Sequence, residues 1–293
     1  MKYIIVSFLM ILILSCSSTE KTDLELVPKN SDIILSLDIP RLLKNRTVNF
    51  ILERKGIKRI LEREMDIYLE DLSQAIISQK LSGVLDLFSS KMITLKGKFK
   101  ANSSDRDLDY KGHKIFNDKN GQKELFTKDK RVIGSFLMIK QVIDELSVHE
   151  TKYSIVQKNA KKIFKEIDDY PIRMFINLNS SIISQYMKKI VSSLKVNSGK
   201  VSGYMGVSID ITNDSLNFHI VLISNNLPLD EIGASLEKNL KNIKPFIRRF
   251  YTCNTKLGIE LENLFKSIKI KKEKNKLDVR ISISHRFLGK RVE

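Results

Sequence analysis

The stretch Gly203-Tyr-Met-Gly-Val-Ser-Ile-Asp-Ile-Thr-Asn-Asp-Ser-Leu-Asn-Phe-His-Ile-Val-Leu222 decides the fold class. Met205, Val207, Ile209 and Ile211 are apolar at every second position. After Asn213-Asp214 the alternation resumes with Leu216, Phe218, Ile220 and Leu222. A period of two belongs to a strand whose two faces meet different surroundings. Asn-Asp between two such runs is turn chemistry, so the stretch reads as an antiparallel hairpin. His219 sits between Phe218 and Ile220, so alternation points it away from the apolar face. The sequence therefore reads it as a surface residue and not as a zinc ligand.

Upstream of the hairpin, Ile172, Met174, Ile176 and Leu178 alternate as another strand. Asn179-Ser180-Ser181 is a helix-cap cluster, and Ile183, Met187, Ile190, Val191 and Leu194 form one helical face. Downstream, Pro228 and Asp230 open a helix with Leu229, Ile232, Leu236, Leu240 and Ile243 on one side. A short helix over 258–267 follows. A last hairpin then sets Ile268 and Ile270 against Val279, Ile281 and Ile283, turning near Lys274-Asn275. Residues 286–293 read as a frayed tail.

The N-terminal half runs through the same order. Residues 32–37 form a strand, Asp38 is placed to cap the next helix, and Pro40 suits its first turn. An interrupted helical stripe, divided at Gly56, continues to Leu61. Residues 64–79 read as a second helix, with Ile67, Leu69, Leu72, Ala75 and Ile76 inward. Ile93, Leu95, Gly97 and Phe99 then alternate with Thr94 and lysines as a half-buried strand. Ala101–Asp107 is polar loop, and short strands follow at 113–117, 122–127 and 132–133. Phe136, Ile139, Ile143 and Leu146 mark a helix. Residues 150–167 carry a basic amphipathic helix with Ile155, Val156, Ala160, Ile163, Phe164 and Ile167 on one side.

The expectation is an α+β fold of two similar strand-helix-meander-helix halves with antiparallel sheets, ordered as an internal duplication would order them. Strand 32–37 would correspond to 172–178, and 92–100 to 203–211. The first half spans 27–147, a helical connector 148–169, and the second half 170–293 with a basic C-terminal hairpin.

The N-terminus is of another kind. Lys2 supplies a positive charge, and Tyr3 to Leu14 is apolar apart from Ser7. That is the length of a signal-peptide core, too short to span a hydrocarbon slab of roughly 30 Å. The run closes on Ile13-Leu14-Ser15-Cys16, followed by Ser17, Ser18 and Thr19. This ending resembles a bacterial lipobox in the relaxed form of spirochaete, Borrelia-like lipoproteins. Ile13 stands where many bacteria prefer leucine. The resemblance implies a leader over residues 1–15, a tether over 16–26 and a diacylglycerol on the Cys16 thiol, which anchors the chain to a bilayer. It implies a place in the cell envelope, at the outer membrane before the inner. Two or three acyl chains anchor stably where one is marginal.

The chain carries 51 Lys and Arg against 34 Asp and Glu over 293 residues, a net charge of +17. Such a charge attracts anionic partners at long range. By itself it does not choose among anionic lipid headgroups, sulfated glycans, cell-wall polymers, an envelope protein or nucleic acid. An exported chain without interleaved stacking aromatics is a poor nucleic-acid binder. Cys16 and Cys253 are the two cysteines, so acylation of Cys16 leaves Cys253 without an intrachain disulfide partner. Cys253 follows Phe250 and Tyr251 and reads as a buried thiol.

No motif names a reaction. The four histidines are scattered, with no HExxH. There is no nucleophile elbow and no phosphate loop. Asp118-Lys-Asn-Gly121 lacks the glycine and glutamate of a calcium loop. Asp105, Asp107, Asp109 and Asp168-Asp169 lie in polar sequence that solvent would screen. The reading is a non-enzymatic binding or scaffolding protein, with no catalytic residue, metal or cofactor. The alternatives are a surface adhesin for anionic host glycans and an envelope hydrolase. The strongest charge feature lies between Lys266 and Arg291, with ten Lys or Arg against two acids. There Lys269, Lys271 and Arg280 share the hairpin face opposite Ile270, Val279 and Ile281, making them the candidate anion-binding residues.

Overall fold

The computed structural model describes residues 24–54, 56–65, 67–81, 91–99, 108–117, 121–147, 154–197, 199, 201–253 and 255–284, with the side chains at 54, 64, 65, 243, 244 and 246–257 excepted. The leader with Cys16, the loop at 101–107, residues 118–120, the tail at 285–293 and the Cys253 side chain lie outside the described residues. The fold is α+β, with eight helices and twelve strands among the described residues. Contacts divide it into two compact units. One is Met1–Lys162 with Pro171–Met174, and the other is Ile163–Tyr170 with Phe175–Glu293.

The first unit opens with β1 (Ile33–Asp38), then α1 (Ile39–Lys44), α2 (Arg46–Arg54) and α3 (Ile57–Met65). Asp38 holds the N-cap position of α1 without a capping bond from its side chain, and Pro40 occupies the first turn. Gly56 joins α2 to α3 at φ 61°, a left-handed conformation costly for other residues. A short 3-10 turn (Leu69–Asp71) leads into β2 (Leu72–Gln79) and β3 (Lys91–Gly97). Then come β4 (Leu108–Tyr110), β5 (His113–Asn117), β6 (Lys123–Phe126), β7 (Lys130–Gly134) and α4 (Phe136–Ser147). The strand order is β1-β2-β3-β7-β6-β5-β4. Leu26, Met92, Ile115, Leu125 and Val132 pack with Ile139, Val142 and Ile143 of α4 into one apolar cluster. Each such side chain contributes about 1.5–3 kcal/mol relative to exposure.

Of the helix expected over 64–79 only 64–65 is α-helical, as the end of α3. It ends at Met65, and 72–79 is a strand paired to both β1 and β3. One face of β2 presents Gln74, Ile76 and Ser78, all buried. Gln74 Nε2 donates to Ser36 Oγ at 3.2 Å across the β1–β2 pair. Polar residues on the inward face erased the apolar alternation that marks a strand. The Ser78 and Thr94 hydroxyls on the same face have no hydrogen-bond partner among the described residues. Asp32, fully buried, closes the open end of this pair: its carboxylate accepts from Leu81 N at 2.9 Å and from Lys80 Nζ at 3.0 Å.

α5 (Ile155–Glu166) carries the division between the units inside it. Ala160, Ile163, Phe164 and Ile167 are buried as expected, but Ile155 is 74% exposed. In the first unit Gln157 Nε2 donates to the carbonyls of Leu24 at 3.1 Å and Val27 at 2.6 Å. Leu24, Leu26 and Val27 are themselves buried, so Leu24 and Leu26, inside the stretch expected to be tether, belong to the packed body.

The second unit holds β8 (Ile172–Asn177, its first half counted with the first unit), α6 (Ser181–Ser193), β9 (Tyr204–Ile211), β10 (Ser215–Ile223), α7 (Leu229–Cys253), α8 (Thr255–Ser267), β11 (Lys269–Glu273) and β12 (Lys276–Ser284). The order is β8-β9-β10-β12-β11. Both units thus lay three strands side by side in chain order, then return a later strand against the third. The excursion before the return is β4–β6 in one and two helices with β11 in the other. Strand order sets β9 opposite β2, where the sequence reading set it opposite β3. The β9–β10 hairpin has the expected register, Leu216 opposite Ile211 and Leu222 opposite Met205. Thr212 Oγ1 accepts from Ser215 N at 2.9 Å within its turn.

Replacing Gln157 with leucine takes the side-chain donor from the buried Val27 and Leu24 carbonyls, of which Leu24 O keeps the Val27 N–H, and takes the acceptor from Ser154 N. Loss of about 2–3 kcal/mol of unfolding free energy is expected, measured by urea denaturation, with Ile155→Gln as the exposed control that changes it little.

Candidate functional site

The β9–β10 hairpin shows its more buried face where the sequence has the smaller and more polar residues. Gly206, Ser208, His219 and Val221 are buried, while Val207, Ile209, Phe218 and Ile220 are only partly so. The cause is α5 and the residue after it: Ile163 and Ile167 lie over Gly206, where an added Cβ would clash with Ile163 Cγ2 and meet Ile167 Cγ2 at 2.9 Å. His219 is therefore 1% exposed, not a surface residue. Its Nδ1 accepts the backbone N–H of Asp168 at 2.8 Å. A neutral ring then carries its proton on Nε2, which lies 3.1 Å from Asp278 Oδ2, off the line of a good hydrogen bond. The two ring nitrogens face opposite ways toward two carboxylates, which suits a structural tie. Among the described residues no cluster of His, Cys, Asp and Glu could hold a metal ion.

The same tie governs the candidate anion-binding residues. Lys269 and Lys271 stand opposite Arg280 and Asp278 across β11–β12, on the face that carries His219 in β10. Arg280 reaches Asp168 with both terminal nitrogens, at 2.6 and 3.0 Å. Lys271 pairs with Glu273 at 2.7 Å. This hydrogen bond raises the Lys271 pKa and lowers that of Glu273. Lys272 and Lys276, also on the hairpin, pair with Glu237 and Glu166. Lys269 is exposed. Burial, followed by the charge of Asp168, pushes the Tyr170 phenol up. The hairpin is thus stitched to its own unit by Lys272, Lys276 and Arg280.

A larger concavity lies in the first unit, in residues the sequence reading did not single out. It is a cleft of about 1060 Å³ formed where β2, β3 and β7 meet at their ends. Gly97 N donates to Asp129 O at 2.9 Å, and Lys98 N donates to Asp71 O at 3.2 Å. Asp71 and Asp129 therefore flank the end of β3 on either side. Only glycine fits between them, because a Cβ at 97 would lie 2.3 Å from Asp71 O. The far wall is the end of α3 and the turn after it. Glu62 Oε1 accepts from Leu69 N at 3.1 Å, and Asp71 N donates to Tyr68 O at 3.1 Å. Tyr68, at the cleft, is 70% exposed. Phe99 and Phe126 add apolar surface, and the Arg131 guanidinium lies 5.6 Å from the centre of the Phe126 ring. Arg131 is itself buried and paired with Glu124. Arg63, Lys98 and Lys128 complete the charged lining. The sequence signal was the polar break Lys128-Asp129 between two short strands, which alone is indistinguishable from any hairpin turn.

A smaller hollow of about 480 Å³ lies beside α4. Its charges satisfy one another. Tyr110 Oη donates to Asp144 Oδ1 at 2.9 Å and Lys111 Nζ lies 2.6 Å from the same oxygen. These bonds, Lys111 first, hold the Asp144 carboxyl below its ordinary range. Burial pushes Glu145 up.

No protein-family model matches the chain, and no curated protein matches it. Among solved structures it is weakly similar to TP0453, a spirochaete envelope protein of Treponema pallidum. Crystal form I gives a TM-score of 0.43 at 11% identity, covering 92% of this chain and 96% of that one. Crystal form III gives 0.40 at 11% identity, covering 92% and 97%. Among the described residues no helix is long and apolar enough to cross a membrane.

Arg280→Glu sets a third carboxylate against Asp168 and Asp278, so it is expected to cost roughly 1–2 kcal/mol of stability. Lys269→Glu on the neighbouring strand is expected to cost almost nothing. Thermal unfolding of the two variants side by side checks this, and equal melting temperatures would contradict it.

Proposed function

We propose that the chain is a lipoprotein of the cell envelope, anchored through acylated Cys16 and placed at the outer membrane, whose body binds and does not catalyse. One observation carries the reading: the ending Leu14-Ser15-Cys16 precedes Leu24, a buried residue of the body, by only eight peptide steps. Fully extended, that connection reaches at most about 28 Å. A body held so close to a bilayer interacts with the envelope itself or with what reaches its surface. The binding role draws support from a charged, aromatic-lined cleft on a rigid floor of strand ends, and from the absence of a recognisable reaction motif in the sequence. Anionic lipid, glycan and an envelope protein are the partner classes that the net charge favours.

The experiment is metabolic labelling with radioactive palmitate in a bacterial host. Wild type should incorporate label and mature by loss of residues 1–15. Cys16→Ala should accumulate as an unlabelled precursor. A labelled, normally processed Cys16→Ala chain would overturn the lipoprotein reading.

A further inference from the structure

We propose that the cleft between the α3 turn and the ends of β2, β3 and β7 binds an acidic oligosaccharide. The proposal rests on the binding role given above but not on the lipid anchor.

The argument begins with the rings. Tyr68 presents most of its surface to water, next to carboxylates and ammonium groups. An exposed aromatic in such company has no core to serve. Its flat apolar face and polar tip match a molecule that is apolar on its faces and polar at its edges. A pyranose ring is such a molecule: its C–H groups lie over the ring and its hydroxyls point sideways. Asp71 and Asp129 stand to the sides, on neighbouring chain ends. Ionised carboxylates only accept hydrogen bonds, and sugar hydroxyls donate them. Lys98 and Lys128 are exposed and, with Arg63, add positive charge at the same cleft. They supply the attraction for acidic substituents, reinforced by the +17 charge of the whole chain.

The floor is built before any ligand arrives. Gly97 is hydrogen-bonded to Asp129 O, Lys98 to Asp71 O, and Tyr68 and Leu69 are held by the α3 turn. A preformed site spends little ordering entropy on binding. At about 1060 Å³ the cleft stands at the upper end of small-molecule pockets, which suits a short oligomer better than a single ring. An acyl chain is the wrong occupant. Charged groups interleave with the rings, and covering them with hydrocarbon would strip their water without giving partners.

The acidic saccharide has two sources: sulfated uronate glycans outside the cell, or muramic-acid glycan of the cell's own wall. Fluorescence anisotropy on the processed chain, residues 16–293 with Cys16→Ser, separates them. The probes are a labelled heparin octasaccharide, a labelled muramic-acid-containing tetrasaccharide, neutral chitotetraose and a labelled fatty acid. At least one acidic glycan should bind, more weakly as salt rises, and chitotetraose should bind less. Which acidic probe wins assigns the source. Tyr68→Ala should weaken binding about tenfold, and Tyr68→Phe, which keeps the ring, should restore most of it. Lys98→Glu with Lys128→Glu should weaken binding further and flatten the salt dependence. Lys269→Glu on the hairpin should change nothing. If neither acidic glycan binds, if the fatty acid binds and is lost with Tyr68→Ala, or if binding ignores the cleft variants and falls with Lys269→Glu, the proposal is overturned. None of these outcomes depends on whether Cys16 is acylated.

Discussion

A polar group taken out of water must find a partner within the protein, and the two units are arranged around that requirement. Both faces of the β9–β10–β12 sheet are covered: α5 lies on the Gly206 face, and on the other face Gly233 of α7 approaches Leu277. Under α5 the polar His219 is buried. It meets the requirement at one nitrogen, which takes the Asp168 N–H, while the other faces Asp278 off the line of a good hydrogen bond. In the first unit Asp32 takes the Leu81 N–H and the Lys80 ammonium, Gln74 reaches Ser36, and Gln157 ties down two carbonyls of the entering chain. Each of these residues has an ordinary surface composition and an interior position. Leaving one of them unmatched costs about 1–3 kcal/mol, a large share of a typical folding free energy.

The same accounting separates net charge from available charge. The hairpin at the C-terminus is the most basic stretch by sequence, yet Lys271, Lys272, Lys276 and Arg280 each have a carboxylate within 3 Å. Pairs like these add little stability one by one when exposed, but they neutralise the face at short range. At the cleft of the first unit, charged groups share the lining with exposed Tyr68 and half-buried Phe99 and Phe126, and backbone bonds hold its floor. Charge that recognises a ligand must be positioned by something other than the opposite charge beside it, and at the cleft that something is the junction of strand ends around Gly97.

The strands with clean alternation, β1, β3, β9, β10 and β12, and the helices α4, α5, α6 and α8 were legible because one face of each is apolar at the period of its secondary structure. So was the α+β class, which follows from local properties of the chain. Strand β2 was not legible, since Gln74 and Ser78 occupy its inward face, and a period cannot be read from residues that break it. The burial of His219 was not legible either. Alternation tells which side of a strand a residue is on, but not what will be laid over that side. Only the packing of Ile163 and Ile167 onto Gly206 decided it. The cleft is tertiary in the same sense: Tyr68, Gly97 and Asp129 are far apart in sequence and meet only because β3 lies between β2 and β7. Side-chain periodicity is written in neighbours along the chain, whereas coverage and convergence depend on which distant segments the backbone hydrogen bonds bring together.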